Sequence, residues 1–208
     1  MAPSAKSPYH HGNLREALVA GARAILEKDG LNALSLRGVA REVGVSQAAP
    51  YHHFKDKDAL LDAVAAAGFQ DFTEGQAQAS KAADLPTRAM DLGLAYVSFA
   101  TTNPALFQLM FGREIMAASG SNELQEASGK SFGYISDVCS KITKMRGTSD
   151  QGDNLAMAAW SLVHGLSTLL VNQRISEATS GDPEFDAMVR GALVHLFPEF
   201  SMQDHAEL

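Results

Sequence analysis

The stretch LSLRGVAREVGVSQAAPYHHFKDKDALL, residues 34–61, has the spacing of two short helices crossed at a tight turn. Ser35 is placed to cap a first helix in which Leu36, Val39, Ala40 and Val43 recur at intervals of three and four, which turns Arg37 and Arg41 to solvent. Gly44 ends that helix, since glycine tolerates the left-handed backbone such a turn requires, and Val45 drops into the core beneath. Ser46 then caps a second helix through QAAPYHHF, whose small first turn of Gln47, Ala48 and Ala49 permits close approach to a base-pair edge. Pro50 falls near the end of that first turn, where a missing N–H costs little. Together these features point to double-stranded DNA.

The charge distribution agrees. Residues 1–60 hold eight Lys or Arg against six Asp or Glu, and residues 61–208 hold nine against eighteen, within a chain of net charge −7. A basic end on an acidic chain is what a phosphate backbone selects, because positive charge helps only where it touches. At 208 residues, with 46 % hydrophobic and 20 % charged residues, the chain buries a substantial core. A lone cysteine, Cys139, cannot form an internal disulfide, and MAPSAKSPYHHGN lacks the apolar core of a signal peptide. No uninterrupted apolar run approaches the length of a membrane span, so the expectation is a cytoplasmic protein with no membrane partner.

Helical periodicity runs through almost the whole chain, without an alternating strand pattern, and the class is all-α. A first helix from about residue 13 or 14 to Lys28 carries Leu14, Ala17, Leu18, Gly21, Ala22, Ile25 and Leu26 on one stripe, and Gly30 stops it. Asp56 caps a long helix with Leu60, Leu61, Val64, Ala67, Phe69 and Phe72, fading between Gly75 and Lys81. Pro86 opens a helix to Thr101, and Asn103 with Pro104 caps and starts another to Phe111. A loop at 118–122 precedes a helix from Glu123 to Arg146, and GTSDQGD at 147–153 precedes a long apolar helix to Ser176. Asp182 and Pro183 start a last helix that ends near Phe197 and Pro198, before a frayed tail.

Over residues 10–62 this pattern resembles the TetR family of bacterial transcriptional regulators. The similarity rests on the three-helix module, GVS at 44–46, the aromatics of PYHHF at 50–54 and the entry KDKDALL into the fourth helix. Beyond Leu61 the chain is similar to the branch with a Trp, His, Gly signature, here Trp160, His164 and Gly165 of AAWSLVHGL. The resemblance implies a homodimer built mostly from the last two long helices, a small-molecule pocket in each effector domain, and repression released by that molecule. It therefore divides the chain into an arm and helix-turn-helix DNA-binding domain, residues 1–55, and a larger helical ligand-binding and dimerisation domain, residues 56–208. Independently, SLVHGLSTLLV at 161–171 is apolar on nearly every face, and such a helix must be covered on more than one side.

The candidate DNA contacts are Arg37, Ser46, Gln47, Ala48, Tyr51, His52, His53, Lys55 and Lys57. Gln47 is placed to pair with adenine, Tyr51 to reach a phosphate while its ring packs the module, and the family match makes Lys57 a phosphate clamp. The adjacent histidines diverge by about 100° on a helix and make a poor metal site. The arm SPYHHGN at 7–13 lies where it can reach a neighbouring groove. For a small apolar or aromatic effector the candidate lining is Phe69, Phe72, Tyr96, Phe99, Phe107, Met110, Phe111, Phe132, Ile135, Cys139, Trp160 and His164, with Tyr96, Trp160 and His164 able to orient it. Spaced by four, Trp160 and His164 share a helix face.

Two other classes compete with this reading: a helical protein–protein adaptor, and an enzyme using Cys139 with His164. The sequence carries no Gly-rich phosphate loop, spaced metal-ligand set or nucleophile elbow, and implies no cofactor, metal or catalytic residue. Salt separates the adaptor from a DNA reader, because only the latter weakens steeply with ionic strength.

Overall fold

The computed structural model describes residues 14–82, 84–112, 121–148, 152–175 and 180–197, and among these it holds eight α-helices and no strand. The arm at 7–13, the tail, most of the 118–122 loop and the end expected for the long apolar helix lie outside the described residues. Helix α1, Leu14–Asp29, buries Leu18, Ala22 and Leu26 of its stripe. Helix α2, Leu36–Val43, begins where the Ser35 hydroxyl accepts the Gly38 N–H at 3.1 Å. It ends at Gly44 with φ 76°, where the Val45 N–H reaches the Ala40 carbonyl and the Gly44 N–H reaches Arg41, the Schellman arrangement.

The expected second motif helix takes a tighter form. The chain makes a 3-10 turn over Ala49–His52, its bonds running three residues back from Ala49 to Ser46, Tyr51 to Ala48 and His53 to Pro50. Pro50 is the physical cause: it has no N–H to give, its ring crowds the Ser46 carbonyl, and it disfavours α geometry at Ala49. No side chain caps this turn, so Ser46 contributes its carbonyl and not the expected hydroxyl cap.

Helix α3, Lys57–Ala79, starts at Asp56, whose carboxylate accepts the Ala59 N–H at 2.8 Å. Helix α4, Leu85–Thr102, is capped by Asp84 rather than started at Pro86, and the Thr87 N–H holds that carboxyl below its usual range. Asn103 precedes α5, Pro104–Met110, yet it does not cap it: its side chain accepts from Arg23 and donates to the Phe99 carbonyl. Glu27 of α1 supplies the missing acceptor, taking the Leu106 N–H at 2.9 Å. Helix α6, Asn122–Arg146, is capped by Ser121. Helix α7, Asp153–Val171, stops five residues short of the expected end, because Asn172 and the left-handed Gln173 turn the chain away. Helix α8, Pro183–Val194, leads to a wholly buried Phe197. The core is continuous from α1 and α2 into the larger bundle, with α3 lying along α6 and touching α1, α4 and α5.

Candidate functional site

Two surfaces carry the chemistry, one at each end of α3. At the first, Arg37, Ser46, Gln47, Ala48, His52, His53 and Lys55 are all exposed, while Pro50 and Phe54 are buried beneath them. Tyr51 is 51 % exposed, unusual for so large a ring, and it projects from the tight turn beside the two histidines. Lys57 is half-buried, and its ammonium donates to the Leu31 carbonyl at 3.1 Å, which ties the start of α3 to the turn after α1. An ammonium has three donors, so this bond leaves two for a phosphate.

Polar links fasten that module to the rest. Arg15 lies over the Phe54 ring and pairs with Glu123 at the start of α6 at 2.6 Å. Arg23 bridges Asp71 of α3 and Asn103 before α5. With the Glu27 cap on α5, three side chains of α1 touch three different helices of the larger bundle.

At the other end of α3 lies a cavity of about 700 Å³. That is within the usual range for small-molecule sites, ~300–1,000 Å³. Phe69, Phe72, Tyr96, Met110, Phe111, Phe132, Ile135, Trp160 and His164 all line it, as expected from the sequence. Three expected members do not. Phe107 stands behind the lining, packed on Tyr96, Phe111 and His164; Phe99 stands behind Phe72; Cys139 is wholly buried between helices. A Cys139–His164 catalytic pair is therefore not favoured, since the thiol does not reach the cavity.

Within the lining, the Trp160 indole N–H donates to the Tyr96 hydroxyl at 3.3 Å, and that hydroxyl lies 2.9 Å from His164 Nδ1. Burial raises the Tyr96 pKa well above its usual value and lowers that of His164. The phenol thus stays protonated and donates to a neutral imidazole, which puts the imidazole proton on Nε2. Phe72 meets Tyr96 edge-on at 5.1 Å, and Phe111 meets His164 at 5.0 Å, so aromatic rings hold the array in place.

Sequence reasoning missed Gln76, Gln125, Ser128 and Ser131, and the closing residues Val163, Leu193 and Phe197. Helical register offered a signal: Gln76 follows Phe69 and Phe72 by seven and four positions and so shares their face. Helix α7 is long and apolar enough to cross a membrane by length and composition alone, and only 28 % of its most apolar stretch is buried within one chain. Met157 and Leu169 are exposed on it.

The family model of bacterial regulatory proteins of the tetR family matches residues 18–64, and that of the tetracyclin repressor-like C-terminal domain matches residues 89–192. Tetracycline repressor protein class C of Escherichia coli is 47 % identical over 53 residues, which are 26 % of this chain and 24 % of that protein. The match thus spans about a quarter of that curated relative. A structure of a protein of unknown function from Rhodococcus sp. RHA1 superposes with TM-score 0.79 at 35 % identity, over 93 % of this chain and 98 % of that one. The TetR family transcriptional regulator PfmR of Thermus thermophilus shares the fold, with TM-score 0.62 at 18 % identity over 86 % and 97 % of the two chains.

Proposed function

Because the chain belongs to the TetR family of bacterial regulatory proteins, we propose that it is a cytoplasmic transcriptional repressor that binds a near-palindromic operator as a dimer and leaves it when an apolar or aromatic small molecule enters the cavity. One observation carries this reading: a single unbroken helix, α3, has Lys57 in the exposed basic module and Phe69, Phe72 and Gln76 in the cavity wall. From Lys57 to Gln76 that is about 28 Å of helix at about 1.5 Å per residue. A ligand that tilts the far end moves the near one. We place the division between the two units at residues 55 and 56, just ahead of the start of α3 at Lys57.

In this arrangement Arg37, Ser46, Gln47, Ala48, Tyr51, His52, His53, Lys55 and Lys57 face the DNA, with Gln47 at a base edge and Lys57 on a phosphate. The exposed apolar side of α7, joined by α8, is covered by a second copy, which sets two reading turns about 34–36 Å apart in successive major grooves. A ligand shifts the equilibrium only by its preference between the bound and released states. The test is selection of bound sequences from random double-stranded DNA by the purified protein. An inverted repeat is the expected outcome, and a protein that enriches no sequence at any salt concentration contradicts the reading.

A further inference from the structure

We infer that the cavity selects an uncharged apolar molecule carrying one hydroxyl or amide group that pairs with the side chain of Gln76. The inference rests on the reading of the cavity as an effector site and names the class of molecule it takes.

Gln76 is 4 % exposed and lines the cavity, and its Oε1, covered by neighbouring protein atoms, has no hydrogen-bond partner among the described residues, so a bound molecule meets it once the side chain turns. A buried carbonyl left unpaired is unfavourable, and in a cavity wall the donor of a bound molecule supplies its partner. The polar rings of the wall do not supply it: Tyr96 is bonded to Trp160 and His164, and none of the three is its partner.

The rest of the wall sets the charge. None of the described residues lining the cavity is Asp, Glu, Lys or Arg, and His164 is held neutral by burial. A carboxylate or phosphate entering this space would lose its hydration and meet no cation, which disfavours it. A carboxylate also only accepts hydrogen bonds, whereas Oε1 needs a donor. A hydroxyl or amide both donates and accepts, so it satisfies Gln76 in either orientation of its amide. Phe69, Phe72, Phe111 and Phe132 supply the apolar and aromatic walls for the remainder of the molecule.

The chain's one tryptophan, Trp160, lines the cavity and reports its occupancy by fluorescence. Three matched probes separate the possibilities: decanamide, N,N-dimethyldecanamide and decanoate, titrated into the full-length protein near neutral pH, with the thermal midpoint as a second readout. Decanamide is expected to bind at least about tenfold more tightly than either of the others, the worth of one buried hydrogen bond. In Gln76→Leu the preference for decanamide over its dimethyl analogue disappears, while the dimethyl compound binds as well as before or better. Decanoate binding as tightly as decanamide overturns the inference and leaves the effector site standing. Failure of all three to change fluorescence or midpoint overturns both. If Gln76→Leu does not fold, the comparison of the three probes on the unaltered protein still decides.

Discussion

Tyr96 sits where the polar and aromatic halves of the cavity meet, accepting from Trp160 and facing His164, and the consequences are measurable at single side chains. His164 has a pKa depressed by burial from its ordinary 6.5, so the unfolded chain takes up its proton more readily than the folded one. Its contribution to stability is complete above about pH 6.5 and is lost as pH falls below that towards the folded value. The thermal midpoint is expected to drop between about pH 7.5 and about pH 5.5, and to drop less in His164→Gln. Equal drops in both proteins would remove His164 from the account. On the DNA side, Lys57→Ala is expected to weaken binding to every sequence and to lower the salt slope by about one, whereas Gln47→Ala changes base preference at one position of the half-site. The pairing of Trp160 with His164 was legible in the sequence because a four-residue spacing on a helix is a local fact. Gln76 was legible only through its register with Phe69 and Phe72, and Ser131 was not, because a polar residue in a helix reads as solvent-facing until the neighbouring helix covers it.

At the scale of elements, local chemistry and long-range packing divide the work. Ser35, Gly44 and Asp56 act within four residues of themselves, and the helices they bound fall where the sequence puts them. The start of α5 does not: Asn103 has the residue type of a cap, but Glu27, distant in sequence, takes the bond and leaves Asn103 to Arg23. Glu27→Ala is therefore expected to cost about 1 kcal/mol, the worth of a helix cap, in urea unfolding. It should also reduce the effect of a cavity ligand on DNA affinity, since α5 carries Met110 of the cavity wall and touches the module through this bond. Undiminished ligand response in that variant would remove the Glu27 link from the coupling between cavity and module. Gly152 makes a second element-scale point. Its φ is 98°, and a Cβ there would stand 2.6 Å from the Ser140 backbone, so α7 begins hard against α6. Gly152→Ala suffers both backbone strain and a clash that no side-chain rotation relieves, and should lose about 2 kcal/mol or more. The turn glycine was legible in the sequence; the contact that forbids a side chain there was not.

Across the whole molecule, the acidic bundle and the basic end are parts of one continuous core, crossed by α3 and laced by Arg15, Arg23 and Glu27. The all-α class and the existence of a cavity were readable from periodicity and resemblance. The membership of the wall was not fully so, because α6 and α8 contribute residues whose inward direction depends on how the bundle closes. A chain built in this way is expected to be a dimer in solution, with Leu169→Lys on the exposed side of α7 shifting sedimentation towards the monomer. The central claim is that cavity occupancy and DNA affinity are coupled. The direct measurement is the dissociation constant for the selected operator fragment at fixed salt, with and without a saturating amount of a compound that quenches Trp160. Coupling of the usual size, about 1–3 kcal/mol, predicts that affinity falls by about 5- to 150-fold when the cavity is filled. An operator affinity unchanged at saturation would contradict it.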